Sequence, residues 1–195
     1  MLRMLRREVH TRAVVIAWRG AGEGSARVLL YTEELGLVRA VVKSAREERS
    51  KLRPYLIPGT RGHYSLVKGQ AEWRITGVGG AHTTYYECAS DNARMSAERV
   101  LSLVRQFVQG EGKDEELFAA LYEFLESLSA LDQEDIQIAE YVAVLRVLAA
   151  LGYVAKGDAA AFMSAEYTAA LIVRARQERK NLVSLINRGI SASGL

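Results

Sequence analysis

Along roughly the first 80 residues, apolar and polar positions alternate in short runs, whereas past residue 85 apolar positions recur every three or four residues. A strand sends successive side chains to opposite faces, and a helix returns a side chain to the same face after three or four residues. The change of period therefore divides the chain into a strand region and a helical region. The first predicts five strands, Arg12–Trp18, Arg27–Thr32, Leu37–Lys43, His63–Lys68 and Glu72–Val78, rich in Val, Ile, Tyr or Trp. Their connectors carry Gly20, Gly22, Gly24, Gly36, Pro54, Pro58, Gly59, Gly62 and Gly69, turn residues that forbid a long helix. Five such strands are the number in an OB-fold, a small Greek-key barrel that often binds single-stranded nucleic acid, although an SH3-like barrel has nearly the same pattern.

In the second region, Met95, Val100, Leu101, Val104, Phe107 and Val108 have helical spacing, and so do Leu117, Leu121, Phe124, Leu125 and Leu128. A third helix is predicted from about Glu134 to Leu151 with Gly152 as its stop, and a fourth from about Tyr167 to Ile190. In the third helix, Ile136, Ile138, Tyr141, Val142, Val144, Leu145, Val147 and Leu148 cover more than one narrow stripe, which predicts burial on several sides. Asp114-Glu115-Glu116, following Gly110 and Gly112, suits a helix N-terminus, where negative charge complements the dipole. The expected architecture is α+β, with a barrel over residues 1–80 and a helical domain over 81–195.

Composition adds little until charge is divided along the chain. The 195 residues carry a net charge of +3. Residues 1–80 hold 15 Lys and Arg against 7 Asp and Glu, while residues 81–195 hold 11 against 16. A basic module joined to an acidic one is expected to attract phosphate backbones through the first. No apolar run approaches the roughly 18–20 residues needed to span a bilayer, and no secretory signal opens the chain, so a cytoplasmic location is expected with no membrane partner. One cysteine, Cys88, with His10, His63 and His82 scattered, gives no zinc spacing, and neither a metal nor a cofactor is expected.

The strand Leu37–Lys43 carries the sharpest local pattern. Alternation puts Val38, Ala40 and Val42 on one face and Arg39 and Lys43 on the other. The following segment adds Arg46, Arg49, Lys51, Arg53 and Arg61, opposed only by Glu47 and Glu48. A cationic barrel face beside a basic loop suits sequence-tolerant binding of nucleic acid strands, and Tyr55 within that loop is the candidate base-stacking aromatic. Trp73 shares its face with Ile75, and Tyr31 with Leu29, so both are expected to pack in the core. The glycine-rich Gly20–Ser25 lies between two predicted strands and holds Glu23, which fits a hairpin loop and not a phosphate cradle. With no Walker sequence, no H-E-x-x-H and no assembled Ser, His and Asp, catalysis is not expected. An RNA-binding OB protein and a non-enzymatic scaffold that docks an acidic protein remain open beside DNA binding.

Four segments resemble a known family. Thr32-Glu33-Glu34-Leu35-Gly36-Leu37-Val38-Arg39, Lys43-Ser44-Ala45-Arg46 and Ser50-Lys51-Leu52-Arg53-Pro54-Tyr55-Leu56-Ile57-Pro58, in that order, followed by Leu145–Tyr153 ending in Leu-Gly-Tyr, are similar to RecO, the bacterial recombination mediators. The resemblance covers roughly half the chain, mainly from Thr11 to Gly80. It implies an OB-fold followed by a helical domain, binding to single- and double-stranded DNA, strand annealing, contact with the acidic C-terminal tail of single-strand-binding protein, and action with RecR to load RecA. The family's DNA-contacting cations correspond here to Arg39, Lys43, Arg46, Lys51 and Arg53, and Arg146 stands at a matched basic position for a protein partner. Ser44 replaces the family's usual Gly, and Val154–Tyr167 lacks the cysteines of its zinc module, which implies a compact zinc-free variant.

Overall fold

Alternating burial along five strands builds a barrel in the computed structural model, which describes residues 7–22, 24–43, 45, 50–88, 90–163 and 166–194. The strands are β1 (Glu8–Ala21), β2 (Ser25–Thr32), β3 (Gly36–Val42), β4 (Thr60–Lys68) and β5 (Trp73–Thr83). They close in the order β1-β2-β3-β5-β4, with β4 returning to β1 and β3 pairing parallel to β5. That closure resolves the earlier ambiguity in favour of the OB-like barrel. Ala13, Val15, Val28, Leu30, Val38, Ala40, Val42, Tyr64, Leu66, Trp73 and Ile75 fill its interior. Gly20–Ser25 is the β1–β2 hairpin connection, as expected, with Ala21 opposite Ser25 and positive φ at Gly22 and Gly24.

The chain forms two compact units, Met1–Tyr85 with Val108–Lys113, and Tyr86–Phe107 with Asp114–Leu195. The short segment 108–113 therefore belongs with the barrel. Glu111 bridges to Gly36 at the start of β3, and the Gly112 amide donates to the Leu35 carbonyl at 2.9 Å. Gly36 has φ +68°, and a Cβ there would collide with the Gly112 carbonyl, so this position requires glycine twice over. From the same segment, the Glu111 carboxylate accepts from the Trp73 indole N–H and from Lys68 Nζ, both at 2.9 Å. Lys68 also lies 4.7 Å from the centre of the Trp73 ring, so the buried indole is satisfied on its edge and its face.

The second unit contains α1 (Thr84–Glu87) in part, then α2 (Asp91–Phe107), α3 (Glu115–Ser127), α4 (Gln133–Ala150), α5 (Lys156–Ala159), α6 (Ala169–Gln177) and α7 (Arg179–Ser193). Asp114 caps α3 by accepting from the Leu117 amide at 2.9 Å. Residues 136, 138–140, 142, 143 and 145–149 of α4 are buried, and α2, α3, α6 and α7 pack around it, so it is the central helix. Gly152 ends it at φ +79°, and the amides of Tyr153 and Gly152 donate back to the carbonyls of Leu148 and Ala149 in a Schellman closure. Within this unit, the Glu140 carboxylate accepts from Ser96 and from both Nε and Nη2 of Arg99.

One helical expectation is corrected. The predicted helix from Tyr167 to Ile190 is two helices that meet at Glu178. The apolar stripe through Leu171, Ile172, Ala175, Leu182, Leu185 and Ile186 keeps helical spacing across the break, which hid it from the sequence. Between Ala175 and Leu182, however, a continuous helix would direct Glu178 or Arg179 toward the core. Turning at Glu178 keeps both charges at the surface, where Arg174 Nε donates to the Glu178 carboxylate at 3.1 Å. Among the described residues, no helix is long and apolar enough to cross a membrane.

Candidate nucleic-acid interface

Strand register divides the outer surface of the barrel into two zones. Residues paired across strands share a face, so Arg61, Val14, Tyr31 and Leu37 form one outward row over β4, β1, β2 and β3. All four are buried. Tyr31 is thus buried as expected, but on the outside of the barrel and not within it. Four residues along β2, the corresponding row is Arg19, Arg27, Val41 and Arg74 over β1, β2, β3 and β5, and its three arginines are exposed. Between the rows, Arg39 faces out beside Leu29.

Among the described residues, most of the positive charge in and around this second zone has no ion pair. Arg27 is paired with Glu72 at 3.1 Å, but Arg19, Arg39, Lys43, Lys51, Arg53 and Arg74 form no ion pair among the described residues. Elsewhere in the same unit, Arg12 forks onto Glu33 and Lys113 lies 3.5 Å from Glu34. Arg19 directly opposes Arg27, and like charges facing each other across a strand pair destabilise a sheet. The Glu72 carboxylate on Arg27 relieves part of that repulsion. The Arg12 guanidinium holds the Glu33 carboxyl below the usual range, and Lys68 with the Trp73 N–H does the same for Glu111. These acids remain ionised and are already engaged, so they do not neutralise the cationic row.

The residues expected to bind nucleic acid fall into three groups. Arg39, Lys43, Lys51 and Arg53 are exposed, and Tyr55 is 36% exposed on the 3-10 turn Arg53–Leu56 between β3 and β4. Arg46 and Arg49, together with Ser44, lie outside the described residues. Arg61 is only 4% exposed, so it does not join the exposed row. Arg146, expected to meet a protein partner, is 3% exposed on α4, where its Nε donates to the Phe162 carbonyl at 2.7 Å and its guanidinium lies over the Tyr167 ring. Helical spacing cannot tell an arginine on a central helix from one at the surface, and here all of residues 145–149 around Arg146 are buried. Arg19 and Arg74 were missed because nothing in their own strands marks them. Only the β1–β2 and β3–β5 registers bring them into one row.

A family model described as Recombination protein O N terminal matches residues 4–78, the segment that builds most of the barrel. DNA repair protein RecO of Exiguobacterium sp. is 32% identical over 142 residues, which cover 71% of this chain and 55% of that protein. The protein of the same name from Dehalococcoides mccartyi is 28% identical over 126 residues, covering 65% of this chain and 50% of that one. Residues 4–78 of this chain are thus a RecO-type N-terminal domain. It spans about half the length of these curated relatives.

Within this RecO-type barrel, the segment Thr32–Arg39 carries the β2–β3 turn and the start of β3. The Thr32 hydroxyl accepts from the Leu35 amide and donates to the Gly36 carbonyl, both at 3.0 Å, which locks the chain as it enters β3. Ser50–Pro58 supplies the turn bearing Arg53 and Tyr55, and Tyr64 donates its hydroxyl to the Tyr55 carbonyl at 2.9 Å. Leu151-Gly152-Tyr153 forms the closure of α4. The RecO signature segments thus encode turns and a helix end that set the strand registers, besides carrying cations. Among the described residues, no group of three or more His, Cys, Asp or Glu side chains could hold a metal.

Proposed function

We propose that this chain is a non-enzymatic, DNA-binding mediator of recombinational repair, whose barrel holds the backbones of single- and double-stranded DNA. The supporting observation is the set of exposed cations that form no ion pair among the described residues, Arg19, Arg39, Lys43, Lys51, Arg53 and Arg74, on an OB-like barrel of RecO type. Each bound phosphate displaces condensed counterions, so affinity draws on entropy and requires no particular base. Strand annealing follows from the same physics. Neutralising two backbones lowers their mutual repulsion and raises their local concentration, and no catalytic group is needed.

In the cell we place this activity in the bacterial cytoplasm, with RecR and the C-terminal tail of single-strand-binding protein as partners and RecA loading as the outcome. Since Arg146 is buried, exposed cations on α6 and α7 are better placed to attract an acidic tail. Residues 167–195 hold 5 Lys and Arg against 1 acid, whereas residues 81–166 hold 6 against 15. The compact, zinc-free reading of Val154–Tyr167 rests on its lack of cysteine.

Fluorescence titration of oligonucleotides at several salt concentrations tests the DNA-binding surface. Arg39→Glu with Lys43→Glu is expected to weaken binding across all sequences and to flatten the slope of log K against log salt by about 0.7 for each lost single-strand phosphate contact. An unchanged slope overturns this surface, and a strong preference for RNA over matched DNA overturns the DNA reading.

A further inference from the structure

The two tryptophans of the barrel stand in opposite states. Trp73 is 2% exposed, bonded through its N–H to Glu111 and covered by Lys68. Trp18 is 44% exposed, and among the described residues its N–H makes no hydrogen bond and its ring meets no aromatic or cationic group. A tryptophan left this way keeps a large apolar face in water, at a cost in transfer free energy that the fold does not recover.

Its position is specific. Among the described residues, β1 pairs with β4 only as far as Val14 and then continues with β2 alone, so the stretch carrying Trp18 has one side without a paired strand there. Trp18 stands opposite Val28, in the inward row that continues through Ala40 to Trp73. The next residue, Arg19, faces outward in the cationic row with Arg27 and Arg74. A polyanion carrying flat apolar groups finds both chemistries within two consecutive residues.

We propose that Trp18 is a base-stacking platform for single-stranded nucleic acid, with Arg19 and its row holding the phosphates that flank the stacked base. This inference rests on the DNA-binding reading above and adds to it a preference for unpaired bases. A duplex keeps its bases stacked on one another, so Trp18 would contribute to single-strand binding alone. Tyr55, the aromatic favoured by sequence, is slightly less exposed, and its turn lies outside the row.

The test uses the full chain, an oligothymidylate, the same backbone with abasic sites, and a duplex. Adding the oligothymidylate should quench the indole emission, because Trp73 is buried and Trp18 is the accessible fluorophore. Trp18→Ala should weaken oligothymidylate binding by about tenfold and abolish the quenching, while leaving abasic and duplex affinity within about twofold; Trp18→Phe should recover most of the loss. If the oligothymidylate binds without quenching, or Trp18→Ala changes base-bearing and abasic strands equally, the platform is overturned while the DNA-binding reading stands. If none of the three nucleic acids binds at low salt, both fall together.

Discussion

Arg39 and Arg146 show how one residue type takes different roles according to its surroundings. On the outer face of β3, Arg39 is an exposed charge; on a central helix, Arg146 is bonded to the Phe162 carbonyl, stacked on Tyr167 and 3.8 Å from Glu123. Removing a buried charge from its partners leaves them unsatisfied, a loss of about 3 kcal/mol or more. Arg146→Ala is therefore expected to lower the urea midpoint strongly while native protein retains its oligonucleotide affinity. A surface role would give the reverse, a loss of partner binding with an unchanged midpoint. Strand alternation made Arg39 a candidate, and the resemblance to RecO made Arg146 one. Sequence could not separate them, because burial is a property of neighbours distant in the chain.

Among the elements, segment 108–113 ties distant parts of the barrel together. It bridges to β3, and Glu111 anchors Lys68 and Trp73 where β4 gives way to β5. The hydrogen bonds from Lys68 and Trp73 lower the Glu111 carboxyl below its usual value. On unfolding, that carboxyl regains its ordinary affinity for protons, so its stabilising effect is complete above the ordinary carboxylate pKa and disappears as pH falls through the lowered value. Glu111→Gln should thus reduce the melting temperature at pH 7, and the deficit should close in acid. Thermal melts from neutral pH to about pH 3 check this, and a deficit that persists at the acid end would assign the effect to packing. The five strands, the caps at Asp114 and Gly152 and the hairpin at Gly20–Ser25 were legible, since period and turn chemistry are local. The barrel affiliation of 108–113 was not, because it lies between two helical periods and its partners are about 40 and 75 residues away.

For the whole molecule, the barrel is built from two separated stretches of chain. A fragment ending at Tyr85 retains every strand and the row Arg19, Arg27 and Arg74, but lacks Glu111. It is expected to bind oligonucleotides with a salt dependence close to that of the full chain. Its barrel should melt at a lower temperature, with the emission of Trp73 shifted to the red as its indole loses its carboxylate partner. Loss of binding in a fragment that remains folded would instead require cations of the second unit.

The sequence by itself determined the strand and helix periods, the basic and acidic halves, the inward faces of the strands and the family of the barrel, because each is set by residue type at short separation. Tertiary structure alone decided strand order, the parallel pairing that makes the barrel OB-like, the burial of Arg61 and Arg146, and the assembly of Arg19 and Arg74 into one row. These depend on register between segments tens of residues apart. A shift of one residue would reverse every face while leaving each local pattern intact.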